Sequence, residues 1–78
     1  MRTVGKPIKT KYKYIEFERL NEDYYLCTNR KSRDDLGFVD YFERWKEYQF
    51  NPESDFAFTV GCLLDIADFI KQLNAEKK

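Results

Sequence analysis

TVGCLLDIADFIKQLN, residues 59–74, is the long stretch of this chain with clear helical period, and the remaining segments are best read around it. Leu63, Ile66, Ala67, Ile70 and Leu73 recur at three- and four-residue spacing and form one apolar stripe, flanked by Cys62 and Phe69. Asp65, Asp68, Lys71 and Gln72 fall largely on the opposite side. Thr59 supplies an N-cap, because its hydroxyl can accept from a free first-turn N–H. The aspartates come early and Lys71 late, the favourable order relative to the helix dipole. The spacing predicts a helix over residues 60–74, with fraying from 74 onward and a free tail at 76–78.

Upstream of the helix the period changes to two. Residues 12–20 alternate, with Ile15 and Phe17 on one side and Tyr12, Tyr14, Glu16 and Glu18 on the other. Asn21-Glu22-Asp23 reads as a turn, and Tyr24–Asn29 as a second strand that pairs with the first. Residues 30–35 form a charged loop. LGFVDYF (36–42) gives a third strand and WKEYQF (45–50) a fourth, and a link as short as Glu43-Arg44 forces an antiparallel return. Pro52 ends that strand, since it cannot donate to a ladder. Gly37 marks a bulge or close packing under a ring. Phe56-Ala57-Phe58 is a short fifth strand or an extended lead into the helix. Residues 1–11, with Gly5, Pro7 and few apolar side chains, read as a flexible basic arm ahead of one domain at 12–75. The expected fold class is α+β: an antiparallel four- to five-stranded meander with one C-terminal helix packed on one face. The alternative is a strongly bent half-barrel plugged by the helix.

A chain of 78 residues holds one marginal core. Seven Phe, six Tyr and one Trp provide the mass that disulfides or a metal provide elsewhere. With two cysteines, Cys27 and Cys62, the chain has room for one bridge at most and a disulfide framework is disfavoured, and the lack of histidine disfavours zinc. Nothing resembles a signal peptide or a membrane span, so the expected location is cytoplasmic and reducing. Formal charge is zero but uneven: residues 1–33 carry nine basic and four acidic side chains, and the remainder five and ten. Duplex nucleic acid is disfavoured as a partner, because phosphate binders normally carry excess positive charge.

No histidine also means no Ser–His or Cys–His arrangement. The three glycines are isolated, so no phosphate-cradling loop exists. Cys62 lies in the first helical turn, where the dipole favours a thiolate, yet free cysteines are usually buried and inert. Asp65 and Asp68 read as solvated helix carboxylates. The expectation is a protein that is not an enzyme and needs no cofactor or metal.

Its business is then binding, and the aromatic count says where. One helix shelters one face of a sheet, but the alternation puts Phe38 and Phe42 on one side and Val39 and Tyr41 on the other. Large exposed aromatic patches mark interaction sites. Tyr12, Tyr14, Tyr41 and Tyr48 are therefore candidate partner-binding rings. Arg30, Lys31, Arg33, Arg44 and Lys46 are candidate phosphate-binding cations that, beside rings, could hold a small nucleotide. Trp45 is assigned to the core, pinning its hairpin. A homodimer burying the second face, a sheet curved enough to wrap the rings into one core, and an assembly protein stacking through its sheet all remain open.

The pieces LGFVDYFERWKEYQFNP and FAFTVGCLLDIADFIKQLN also resemble a family of small uncharacterised proteins encoded by bacteriophages and prophages. The shared pattern here is Leu36, Gly37, Tyr41, Trp45, Lys46, Tyr48, Phe50, Pro52, Phe58, Cys62, Leu63, Asp65, Ile66, Phe69 and Ile70. It covers the C-terminal half. The chain departs from it at Asp40 and Phe42, where the family is more uniformly aromatic, and at Lys46, which replaces the usual Arg. The resemblance implies no catalytic activity. It implies a phage accessory protein that counters host antiviral defence stoichiometrically, by blocking a host protein or sequestering a nucleotide signal.

Overall fold

The computed structural model describes residues 8–77. Most of the expected basic arm, residues 1–7, lies outside the described residues, as does Lys78. Four strands, β1 (Ile15–Asn21), β2 (Tyr24–Asn29), β3 (Asp35–Phe42) and β4 (Glu47–Pro52), precede one helix, α1 (Val60–Lys77). The strands pair antiparallel in the order β1-β2-β3-β4, a meander, as the alternating pattern and short links require. The fold is α+β. Among the described residues no helix is long and apolar enough to cross a membrane.

Three boundaries differ from the sequence reading, each for a local reason. β1 begins at Ile15 because residues 12–15 make a tight turn, with Tyr12 N–H donating to the Ile15 carbonyl at 2.8 Å. The chain before that turn runs back along β1. Lys11 bridges Glu16, and Phe17 N–H donates to the Thr10 carbonyl at 2.9 Å. Residues 8–11 thus cover part of an otherwise open edge. β4 begins at Glu47 because residues 43–46 form a four-residue turn. Its closing bond runs from Lys46 N–H to the Phe42 carbonyl at 2.8 Å, and Lys46 adopts a left-handed φ of 58°. The third difference is at the C-terminus. α1 continues to Lys77, and Asn74 is not frayed: its Oδ1 accepts the outward-facing Tyr48 N–H of edge strand β4 at 2.8 Å.

Residues 56–58 are an extended lead, not a fifth strand, and Phe58 packs edge-on against Phe50. Thr59 caps α1, its hydroxyl accepting from Cys62 N–H at 3.3 Å. Gly37 fills both of its expected roles. The register shifts beside it, pairing Cys27 with Gly37 but Thr28 with Asp35, so Leu36 is the extra residue of a bulge and turns inward. A Cβ on Gly37 would lie 2.6 Å from the Asn51 carbonyl oxygen and 2.7 Å from Phe50 Cζ.

The core lies between the sheet and α1. Ile15, Phe17, Cys27, Leu36, Val39 and Tyr48 meet Ile66, Phe69 and Leu73. Phe17 and Phe69 stack with centroids 4.0 Å apart and planes 9° apart, and Tyr25 meets the edge of Phe69. This stack corrects the expected helical stripe. With Phe69 as the inward residue, Cys62, Ile66 and Leu73 share its side, while Leu63 and Ala67 turn to solvent. Tyr12 is a second correction. It does not point away from the helix; the turn at 12–15 tucks it inward, and its hydroxyl donates to Asp68 at 2.8 Å. Gln72 ties the same corner, accepting from Lys9 N–H at 2.9 Å. Tyr48 is buried as well, donating to Asp23.

Replacing Phe69 by Ala removes the centre of the core and should cost about 3–5 kcal/mol of unfolding free energy in denaturant titration. Gly37→Val should also destabilise, since its Cβ has nowhere to go. Burial and then the neighbouring Asp68 or Asp23 carboxylate push the Tyr12 and Tyr48 hydroxyls well above their ordinary value. A raised folded-state pKa stabilises the protonated phenol. That contribution is complete below pH 10, the ordinary tyrosine value, and is lost as pH rises further. Ultraviolet titration should show Tyr12 and Tyr48 ionising late, together with alkaline unfolding, and one fewer late-ionising phenol in Tyr48→Phe.

Candidate functional site: a basic cleft and an open aromatic face

The nine candidate residues separate into three groups. Tyr12 and Tyr48 belong to the core. Tyr41 is half-buried on the helix side of the sheet, edge-on to Tyr48 at 5.2 Å. These three rings are structural. Arg44 and Lys46 are exposed in the β3–β4 turn, with Lys46 Nζ 3.3 Å from Glu43. Tyr14, Arg30, Lys31 and Arg33 lie at the other end of the sheet. The eight residues of β3 separate the two ends by roughly 25 Å. One ligand of nucleotide size therefore cannot touch both basic groups.

Two turns build the cleft at the Tyr14 end. Asn29 Oδ1 accepts from the N–H groups of Lys31 and Ser32, each at 2.9 Å, which closes the β2–β3 loop over its own first residue. Arg33 holds the return with a left-handed φ of 68°, and its N–H donates to the Asn29 carbonyl at 2.8 Å. The opposing wall is the tight turn at 12–15, which presents Lys13 and Tyr14. Arg30 joins the walls: its N–H donates to the Tyr14 carbonyl at 2.9 Å and its Nη1 to the Tyr12 carbonyl at 2.7 Å.

Between the walls lies an open cleft of about 530 Å³ lined by Lys13, Tyr14, Asn29, Arg30 and Lys31. Tyr14 is 57 % exposed, with Lys13 Nζ 5.2 Å from its ring centroid. Glu16 stands 3.7 Å from both Arg30 and Arg33, a loose surface pairing that leaves the region cationic. Arg33 is not among the lining residues. Lys13 and Asn29 escaped the sequence reading. Asn29 has a recognisable signal, an Asn ahead of a polar loop, whereas Lys13 joined the site only through the unforeseen turn.

The second feature is the face of the sheet away from α1. The register puts Glu18, Leu26, Phe38 and Asn51 in one cross-strand row and Tyr24, Asp40 and Gln49 in the next. Tyr24 and Phe38 stack at 5.2 Å, and Phe42 meets Trp45 edge-on at 5.3 Å. Trp45 is not a core ring. It sits in the β3–β4 turn and is 70 % exposed, because the turn takes two residues more than the Glu43-Arg44 link allowed. Leu20, the irregular residue near the end of β1, is 44 % exposed. Between Phe38 and Phe42 on the same face, Asp40 accepts from the side-chain amides of Gln49 (3.0 Å) and Asn51 (3.2 Å).

Cys27 is fully buried, and burial, with Cys62 nearby, pushes its thiol up to about 12. Both cysteines are free thiols. Among the described residues no group of three or more acidic or cysteine side chains is placed to hold a metal ion. Compared with protein-family models, curated proteins and solved structures, the chain finds no match in any of the three.

Proposed function

We propose that this chain is a non-enzymatic binding protein that acts stoichiometrically, in the manner of a phage accessory protein, by covering a host defence protein in the cytoplasm. The observation that carries this reading is the 70 % exposure of Trp45 beside Phe42 at the end of the open face. Trp is the side chain most often found at the energetic centre of protein interfaces, and exposing it costs solubility unless a partner covers it. The Tyr24–Phe38 pair and Leu26 extend the apolar surface along the sheet. Glu16, Glu18 and Glu47 flank this surface on the same face, and the Asp40 network with Gln49 and Asn51 lies between Phe38 and Phe42, adding hydrogen-bonding groups among the rings. The lack of histidine and the buried, protonated Cys27 thiol support the non-enzymatic part of this reading.

Tagged chain should retain a host protein in near-equimolar amount from lysate of a susceptible bacterium. Trp45→Ala should weaken that capture about 30-fold or more, the effect of losing an interface residue worth at least about 2 kcal/mol. Trp45 makes no core contact, so the variant should melt like the wild type. Undiminished capture by the variant would exclude this face.

A second reading, sequestration of a phosphate-bearing nucleotide, is favoured by the cleft. There the exposed Tyr14 ring and the Lys13, Arg30 and Lys31 cations line one space. A base can stack on the ring while the cations neutralise phosphate. Titration calorimetry with mono-, di- and cyclic nucleotides should give saturable heat that Lys31→Glu abolishes; no heat with any of them removes this reading.

A further inference from the structure

The first turns of α1 are apolar on two sides. At roughly 100° per residue, the core-facing Cys62, Ile66, Phe69 and Leu73 occupy one flank. Val60, Leu63, Leu64 and Ala67 lie together on an arc of about 100° on the far flank, facing away from the sheet. Val60 is 71 % exposed, Leu63 49 % and Leu64 64 %, and Ala67 is exposed between them. Phe56, 37 % exposed in the lead to the helix, prolongs the apolar surface past its N-terminus. A helix apolar on both flanks belongs between two layers, and the described residues supply one.

We propose that the missing layer is α1 of a second copy of this chain, crossed antiparallel about a two-fold axis between Leu63 and Leu64. The charges at the two ends of the stripe select this occupant and orientation. An acidic pair, Glu53 and Asp55, precedes the helix, and exposed Lys71 follows Ala67 by one turn. Under the two-fold, Val60 meets Ala67 of the other copy, Leu63 meets Leu64, and Lys71 reaches the partner's acidic end. A parallel pairing would instead oppose like charges at both ends. The dimer keeps both open sheet faces outward, so each retains its own Trp45. The inference is independent of what that face or the cleft binds.

Sedimentation equilibrium of the full chain tests it. The expected mass is twice the 9.5 kDa chain, with Leu64→Glu raising the dissociation constant at least tenfold while circular dichroism stays unchanged. Trp45→Ala should leave the dimer intact. Lys71→Glu should weaken it, and adding Asp55→Lys to the same chain should restore part of the loss. A monomer at all concentrations would overturn the proposal. So would a dimer or larger particle that ignores Leu64→Glu and falls apart with Trp45→Ala, because association would then run through the sheet.

Discussion

The parallel stack of Phe17 on Phe69 is the contact on which the rest of the molecule depends. It is the closest ring pair in the structure's described residues, and it joins the middle of β1 to the middle of α1. A planar contact at 4.0 Å leaves little rotational freedom, so it sets which flank of the helix faces the sheet. Once Phe69 points inward, Ile66 and Leu73 must follow by helical geometry. Val60, Leu63, Leu64 and Ala67 must then face the other way.

The corners are pinned from this centre by polar ties. Tyr12 to Asp68 and Gln72 to Lys9 hold the chain entering β1 against the helix. Asn74 to Tyr48 holds β4 at the opposite edge. Buried phenols that donate to carboxylates spend no unpaired polar group, and no buried side-chain nitrogen or oxygen lacks a partner among the described residues. The result is a small core with satisfied borders and three surfaces left over: the cleft, the open face and the outer flank of α1. They arise where the one 18-residue helix and four short strands leave Tyr14, Trp45 and the outer flank of α1 uncovered.

Much of this was legible in the residues. Period-two alternation in Phe38, Val39, Tyr41 and Phe42 assigned those side chains to their faces correctly. Thr59 marked the helix start, and Gly37 announced both a bulge and a ring above it. The site was less legible. Tyr12 and Tyr48 read as surface rings because alternation says which side a residue takes, not whether a turn or a helix end then closes over it. The five basic candidates looked like one cluster because sequence distance hides the length of β3, which carries the Arg30 loop and the Arg44 turn to opposite ends.

By itself, then, the sequence determined the element types, the meander and the excess of aromatic surface, because these follow from local period, short connections and composition. Tertiary structure alone decided which flank of α1 is buried, that Trp45 stands in solvent, and that Lys13 and Tyr14 face Arg30 and Lys31. Those outcomes depend on contacts between residues far apart in the chain, such as Phe17 with Phe69. A helix apolar on both flanks has no local reason to prefer one; the packing of a single ring makes the choice.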